Sequence, residues 1–152
     1  MKREHSFLSS DKMTKIHVVG WFPQGEAVGV VQIAHGMDEF IERYDQFARY
    51  LNQYGYVVVG NDHLGHGLSV LSDRYLGFFR QPGGNDAVIA DMRRLHVIMK
   101  KKYPELPYYL LGHSMGSFFA REYIEKYGQD LTGAIIMGTG SQPKVTLKMG
   151  KA

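Results

Sequence analysis

The feature that most restricts this chain is an alternation of short apolar runs with longer amphipathic ones. "AVGVVQIAHG" (27–36), "YVVVGND" (56–62), "YYLLG" (108–112) and "LTGAIIMGTG" (131–140) are almost unbroken in apolar and β-branched residues. Runs of that kind are strands buried on both faces, as in a parallel sheet. Between them the period changes to that of a helix. Ile41, Tyr44, Ala48 and Leu51 share one face of a helix predicted over 38–54 and closed by Gly55. Val88, Met92, Leu95 and Met99 share one face of a second over 85–102, ended by Pro104 and Pro107. A third is predicted over 115–127. Upstream, "SFLSS" and "KIHVVGWF" read as an antiparallel hairpin that ends at Pro23. Strand and helix in strict turn require helices on the faces of a parallel sheet, and right-handed crossovers reduce the topology to a doubly wound form. The expected fold is α/β, with a mostly parallel sheet opened by an antiparallel hairpin.

Functional groups in such sheets gather at the carboxyl ends of the strands. Three loops fall there, at 35–39 ("HGMDE"), 61–67 ("NDHLGHG") and 112–116 ("GHSMG"), and all three should face one crevice. Ser114 lies between Gly112 and Gly116, where a strand reverses into a helix. Such a turn strains the serine backbone and pushes its hydroxyl outward, and the glycines spare a collision between helix and strand. A Gly-x-Ser-x-Gly pattern alone is weak, and its bland reading is a tight turn with serine as helix cap. The strand before it and the helix after it favour a nucleophile. The oxyanion formed on attack would then be met by the backbone N–H of Met115 and by that of Met37 in the loop after an earlier strand. The methionine side chains would also present apolar surface to an acyl chain, and their plain reading is core filling.

The stretch "HGMDEFIERYDQFARYLNQYGYVVVGNDHLGHGLS", followed by "LLGHSMGS", resembles the monoacylglycerol lipase and lysophospholipase branch of the α/β-hydrolases, also called serine aminopeptidase-like hydrolases. The likeness runs from about 16 to 140. It implies a nucleophile at Ser114, an oxyanion loop supported by His35 and Gly36 and ending at Met37, and a loop over 62–67 with a structural role beside the site. Leu64 stands where relatives often carry arginine, and Ser117 where they commonly carry glycine. The implied reaction is hydrolysis of a small lipid-type carboxylic ester through an acyl-enzyme, with no cofactor.

In this fold the catalytic acid and then the histidine follow the serine in the chain. After Ser114 come only Glu122, Glu125 and Asp130, and no histidine. No acid or histidine of the triad is therefore expected in this chain. It should be the amino-terminal portion of a hydrolase: 1–140 as part of the catalytic domain, 141–152 as the start of a cap or a disordered tail. The strand over 131–140 would then be an exposed apolar edge open to self-association. The competing reading is a non-catalytic shortened relative acting as a binding or complementation module.

The other histidines have plain readings. His113 should point away from the Ser114 hydroxyl, His63 and His66 should organise their loop, and His5, His17 and His96 lack companions at metal spacing. His35 is the internal candidate for a substitute base. Asp91, between helical neighbours and beside Arg93 and Arg94, reads as a structural charge. A net charge of +3 without a basic, aromatic-interleaved stripe argues against nucleic acid. The chain has no cysteine, no signal-peptide core and no apolar run near the roughly 20 residues of a membrane span, so a cytoplasmic protein is expected. Hydride transfer is disfavoured, because the first strand-to-helix loop is "HGMDE" rather than a glycine-rich phosphate loop.

Overall fold

A hairpin opens the computed structural model, which describes residues 1–141. Strands β1 (Lys2–Leu8) and β2 (Lys15–Trp21) pair antiparallel, Lys2 opposite Trp21 and Leu8 opposite Lys15. The turn between them is tied by the Asp11 carboxylate, which accepts the Met13 and Thr14 amides at 2.7 and 2.8 Å. β1 takes in the charged residues Lys2 to His5, ahead of the apolar stretch that suggested a strand. An edge strand needs only a paired backbone, and its outer side chains can stand in water.

The parallel part follows as β3 (Gly29–Ala34), α1 (Asp45–Gln53), β4 (Tyr56–Asn61), α2 (Gly84–Lys102), β5 (Tyr108–His113), α3 (Met115–Tyr127) and β6 (Gly133–Met137). The sheet order is β1-β2-β4-β3-β5-β6, with β2 antiparallel to β4 and the last four strands parallel. The α/β expectation holds. α1 begins later than 38 because Asp38 has φ of +54°, Phe40 is extended, and a short 3-10 turn spans Ile41–Tyr44. β6 is shorter than 131–140, since Gly138 turns away with φ of +62°.

Alternate residues of each strand feed two cores, as a period of two demands. Val30, Val57, Val59 and Leu110 pack under α2 and α3 with Val88, Met92, Leu95, Phe119 and Tyr123. Val31, Val58 and Leu111 face the other way, with Ile41 and Ala48. Leu64 is buried in the first core. Asp91 is buried too, and its partners are in the hairpin turn rather than the adjacent arginines: it accepts the Ser9 hydroxyl at 2.6 Å and the Ser10 amide at 2.7 Å. Arg93 pairs instead with Asp130, and Arg94 with the Leu8 carbonyl.

The second core is open at its β6 end. Val31, Phe47, Leu51, Tyr56, Tyr109, Leu111 and Ile135 line an apolar groove of about 240 Å³. Ile135 is 50% exposed on the outermost strand. Among the described residues no helix is long and apolar enough to cross a membrane. Beyond Ser141, the segment expected to begin a cap or tail lies outside the described residues.

Candidate active site

Ser114 sits between β5 and α3 with φ of +52° and ψ of −118°, a backbone region that a residue with a Cβ adopts only under strain. Its amide is held by the Met137 carbonyl at 2.9 Å. The flanking glycines are required by close approach. A Cβ on Gly112 would fall 2.5 Å from the Gly116 carbonyl oxygen and 2.7 Å from the Ala120 Cβ. One on Gly116 would fall 2.0 Å from the Ala34 carbonyl oxygen, inside the end of β3. This wedge brings the start of α3 against the loop that leaves β3. Ser117, where a glycine is common, donates its hydroxyl to the Ser114 carbonyl at 2.5 Å.

The 35–39 loop meets the same point. A Cβ on Gly36 would lie 3.1 Å from Ser114 Cβ, so the two residues touch across the crevice. His35 is buried, and its Nε2 accepts the His63 amide at 2.9 Å. That bond fixes the tautomer, so Nδ1 carries the proton and donates it to the Gly36 carbonyl at 2.8 Å. Burial drives the His35 pKa down to about 4, which keeps the ring neutral. With both nitrogens occupied, His35 has no lone pair left for Ser114, and the substitute-base reading is corrected: the ring ties the loop to its neighbour.

That neighbour, the 61–67 loop, is wound around Asp62. Its carboxylate accepts the Ile41 amide at 2.7 Å and the Leu68 amide at 2.9 Å, and stands 2.9 Å from His17 Nδ1. His63 and His66 are buried beside His35, with ring centroids 4.2 and 5.5 Å from it. The 35–39 and 61–67 loops share a cavity of about 300 Å³ with Leu76 and Gly77 on its far wall. All three predicted loops therefore converge.

Met37 is 64% exposed at the mouth of the crevice, and Met115 packs partly into the α2–α3 core. Among the described residues neither amide has a protein acceptor. No histidine nitrogen is hydrogen-bonded to the Ser114 hydroxyl there either. His113 instead places Nδ1 3.1 Å from the Tyr44 hydroxyl and 3.2 Å from Glu39 Oε2. Glu122 pairs with Lys126 and Asp130 with Arg93, both away from the crevice.

Sequence reasoning passed over Glu39. It lies in the first loop, but no periodicity or spacing marked it, because its partners are brought together by the sheet. Burial pushes its carboxyl upward, and hydrogen bonds from the Gly36 amide, His113 and Tyr44 outweigh that and hold it below the ordinary carboxylate range. Burial and the bond to Glu39 raise the Tyr44 phenol in turn.

A family model described as serine aminopeptidase, S33, matches residues 25–151. The monoacylglycerol lipase of Mycolicibacterium smegmatis is 31% identical over 137 residues, covering 90% of this chain and 46% of that protein. The human monoglyceride lipase is 34% identical over 105 residues, covering 66% of this chain and 31% of that protein. Among solved structures, a highly thermostable carboxyl esterase from Bacillus coagulans in complex with glycerol superposes with a TM-score of 0.90 at 32% identity, covering 97% of this chain and 47% of that one. The chain thus spans less than half the length of these relatives. Strand order, the strained serine between two glycines and these matches agree: the chain belongs to the serine aminopeptidase S33 family of α/β-hydrolases, on its monoacylglycerol lipase branch.

Proposed function

We propose that the chain carries the nucleophile and the oxyanion site of a serine hydrolase for lipid-type carboxylic esters, monoacylglycerols or lysophospholipids. Ser114 Oγ attacks the ester carbonyl and gives up its proton to a general base. The resulting oxyanion is met by the Met37 and Met115 amides. Collapse expels the alcohol, which takes the proton, and water then releases the acyl group from Ser114. One such amide typically contributes about 10²- to 10³-fold in rate. The observation that carries this reading is Ser114 itself: a serine strained at a strand-to-helix turn, pressed against Gly36, near two amides that have no acceptor among the described residues. Exposed Met37, Phe40 and Leu76 around the crevice offer apolar surface to an acyl chain.

Among the described residues no free base is bonded to Ser114, since His35 is sealed and His113 is engaged by Glu39 and Tyr44. Without it, a site of this kind retains about 10³- to 10⁴-fold over water from oxyanion binding and positioning. The 152-residue chain should therefore turn over short-chain p-nitrophenyl esters slowly, and a fluorophosphonate should label Ser114 slowly. Both activities should vanish in Ser114→Ala. Labelling at another residue, or ester turnover that survives Ser114→Ala, would overturn the assignment.

A second reading, a non-catalytic binding or complementation module, is favoured by the open apolar groove beside β6. Adding the carboxyl-terminal part of a close relative separates the two. Solubility and ester hydrolysis rise together if the chain is a catalytic piece. A monomer that already melts cooperatively and gains no activity supports the module.

A further inference from the structure

The Glu39 carboxylate joins both sides of the candidate site. Its Oε2 accepts the Gly36 amide at 2.7 Å and the Tyr44 hydroxyl at 3.0 Å, and lies 3.2 Å from His113 Nδ1. Arg43 approaches Oε1 at 3.5 Å. The side chain is only 12% exposed. Its partners come from the loop after β3, the turn before α1, and the last residue of β5, immediately ahead of Ser114. A Cβ on Gly36 would lie 2.9 Å from Oε2 and 3.1 Å from Ser114 Cβ, so the carboxylate and the serine flank one α-carbon.

Gly36 is the soft point of the oxyanion loop, since it has no side chain to restrict its backbone. Its two peptide planes are pinned separately. Glu39 holds the amide of the first, and His35 Nδ1 holds the carbonyl of the second. The second plane also contains the Met37 N–H, which in a trans peptide points opposite to the Gly36 carbonyl. Holding both planes therefore aims the Met37 N–H.

We propose that Glu39 is a positioning residue: by binding the Gly36 amide and His113 together, it sets the gap between the Met37 amide and Ser114. The inference rests on the hydrolase reading of Ser114. A bare carboxylate this close would oppose charge on an oxyanion. Four partners draw that charge away, and the Arg43 guanidinium offsets it. A carboxamide keeps one acceptor for the Gly36 amide, so Glu39→Gln should retain part of the effect and Glu39→Ala none.

The test uses the 152-residue chain with Glu39→Gln and Glu39→Ala, and two readouts. The first is the Gly36 amide proton by NMR. A charge-assisted bond holds it downfield, and it should move upfield in wild type as pH falls through the depressed range of Glu39. Glu39 is faced by His113, Tyr44 and Arg43, with His35 behind. Glu39→Gln keeps all four and removes only the carboxylate, so in that variant the pH response should disappear. The second readout is the rate of Ser114 labelling by a fluorophosphonate. Glu39→Ala should be slower by about 10- to 100-fold, the scale of a misplaced oxyanion donor, with partial recovery in Glu39→Gln. A Gly36 amide unmoved in Glu39→Ala, or labelling within twofold of wild type, would overturn the proposal. If Ser114 is labelled in no form, the hydrolase reading falls, and the Gly36 amide still decides the clamp.

Discussion

Gly116→Ala tests whether the wedge at Ser114 is set by steric contact. The added Cβ would lie 2.0 Å from the Ala34 carbonyl oxygen, 2.5 Å from the Ala34 carbonyl carbon and 2.6 Å from the His35 carbonyl oxygen. An ordinary carbon–oxygen contact is about 3.3 Å, so α3 or the end of β3 must shift by roughly 1.3 Å. Ala34 cannot move freely, because it is paired with Gly112 in the interior of the sheet. Overpacking of this kind costs about 1–3 kcal/mol, and the better helix propensity of alanine returns at most about 1 kcal/mol. A net loss of up to about 2 kcal/mol corresponds to a Tm lower by up to about 8 °C in a domain of this size. The backbone that must yield leads directly into Gly36 and Met37, and a displacement near 1 Å at a reacting site costs on the order of 10²-fold in rate. Urea unfolding followed by circular dichroism gives the stability, and fluorophosphonate labelling of Ser114 gives the function. Gly25→Ala is the control, since a Cβ there meets nothing within 4 Å. A Gly116→Ala chain as stable as its parent and labelled at the same rate would refute the steric account.

Ser114→Gly should be more stable than Ser114→Ala by about 1 kcal/mol, because glycine tolerates φ of +52° and alanine does not; equal urea midpoints would remove the claim of strain. Burial depresses His35 and His96 to about 4 and lowers His63 as well, while the unfolded chain protonates near pH 6.5. The unfolded state then binds more protons between those values, so this stability is complete above about pH 6.5 and is lost as pH falls toward 4. His35 alone accounts for about 3 kcal/mol of that loss, and urea midpoints unchanged between pH 7.5 and 4.5 would contradict it. The two edges of the sheet differ in protection, since β1 carries Lys2, Arg3, Glu4 and His5 while β6 is apolar throughout. Sedimentation velocity should show self-association of the parent chain that Ile135→Lys reduces, and a parent monomeric at all concentrations would refute it.

By itself the sequence determined the elements and the position of the serine. Runs such as "YVVVGND" and the Val88–Met92–Leu95–Met99 face encode strand and helix locally, because burial selects apolar residues at the period of each element. Gly112 and Gly116 marked the wedge, since only glycine fits where backbones approach so closely. Element ends were less legible. A backbone turn at Asp38 and another at Gly138 shortened α1 and β6 where the apolar pattern ran on. The tertiary structure alone decided the strand order β1-β2-β4-β3-β5-β6, and with it which polar groups meet. Asp91 turned from its arginine neighbours to Ser9 and Ser10, 82 and 81 positions away. His35, a candidate base when read alone, became a bridge between two loops once the His63 amide occupied its free nitrogen. Glu39 gained its place only when β5 brought His113 to it across 74 residues. Such contacts leave no periodic trace, because a hydrogen bond needs two groups at one point in space and no fixed separation along the chain.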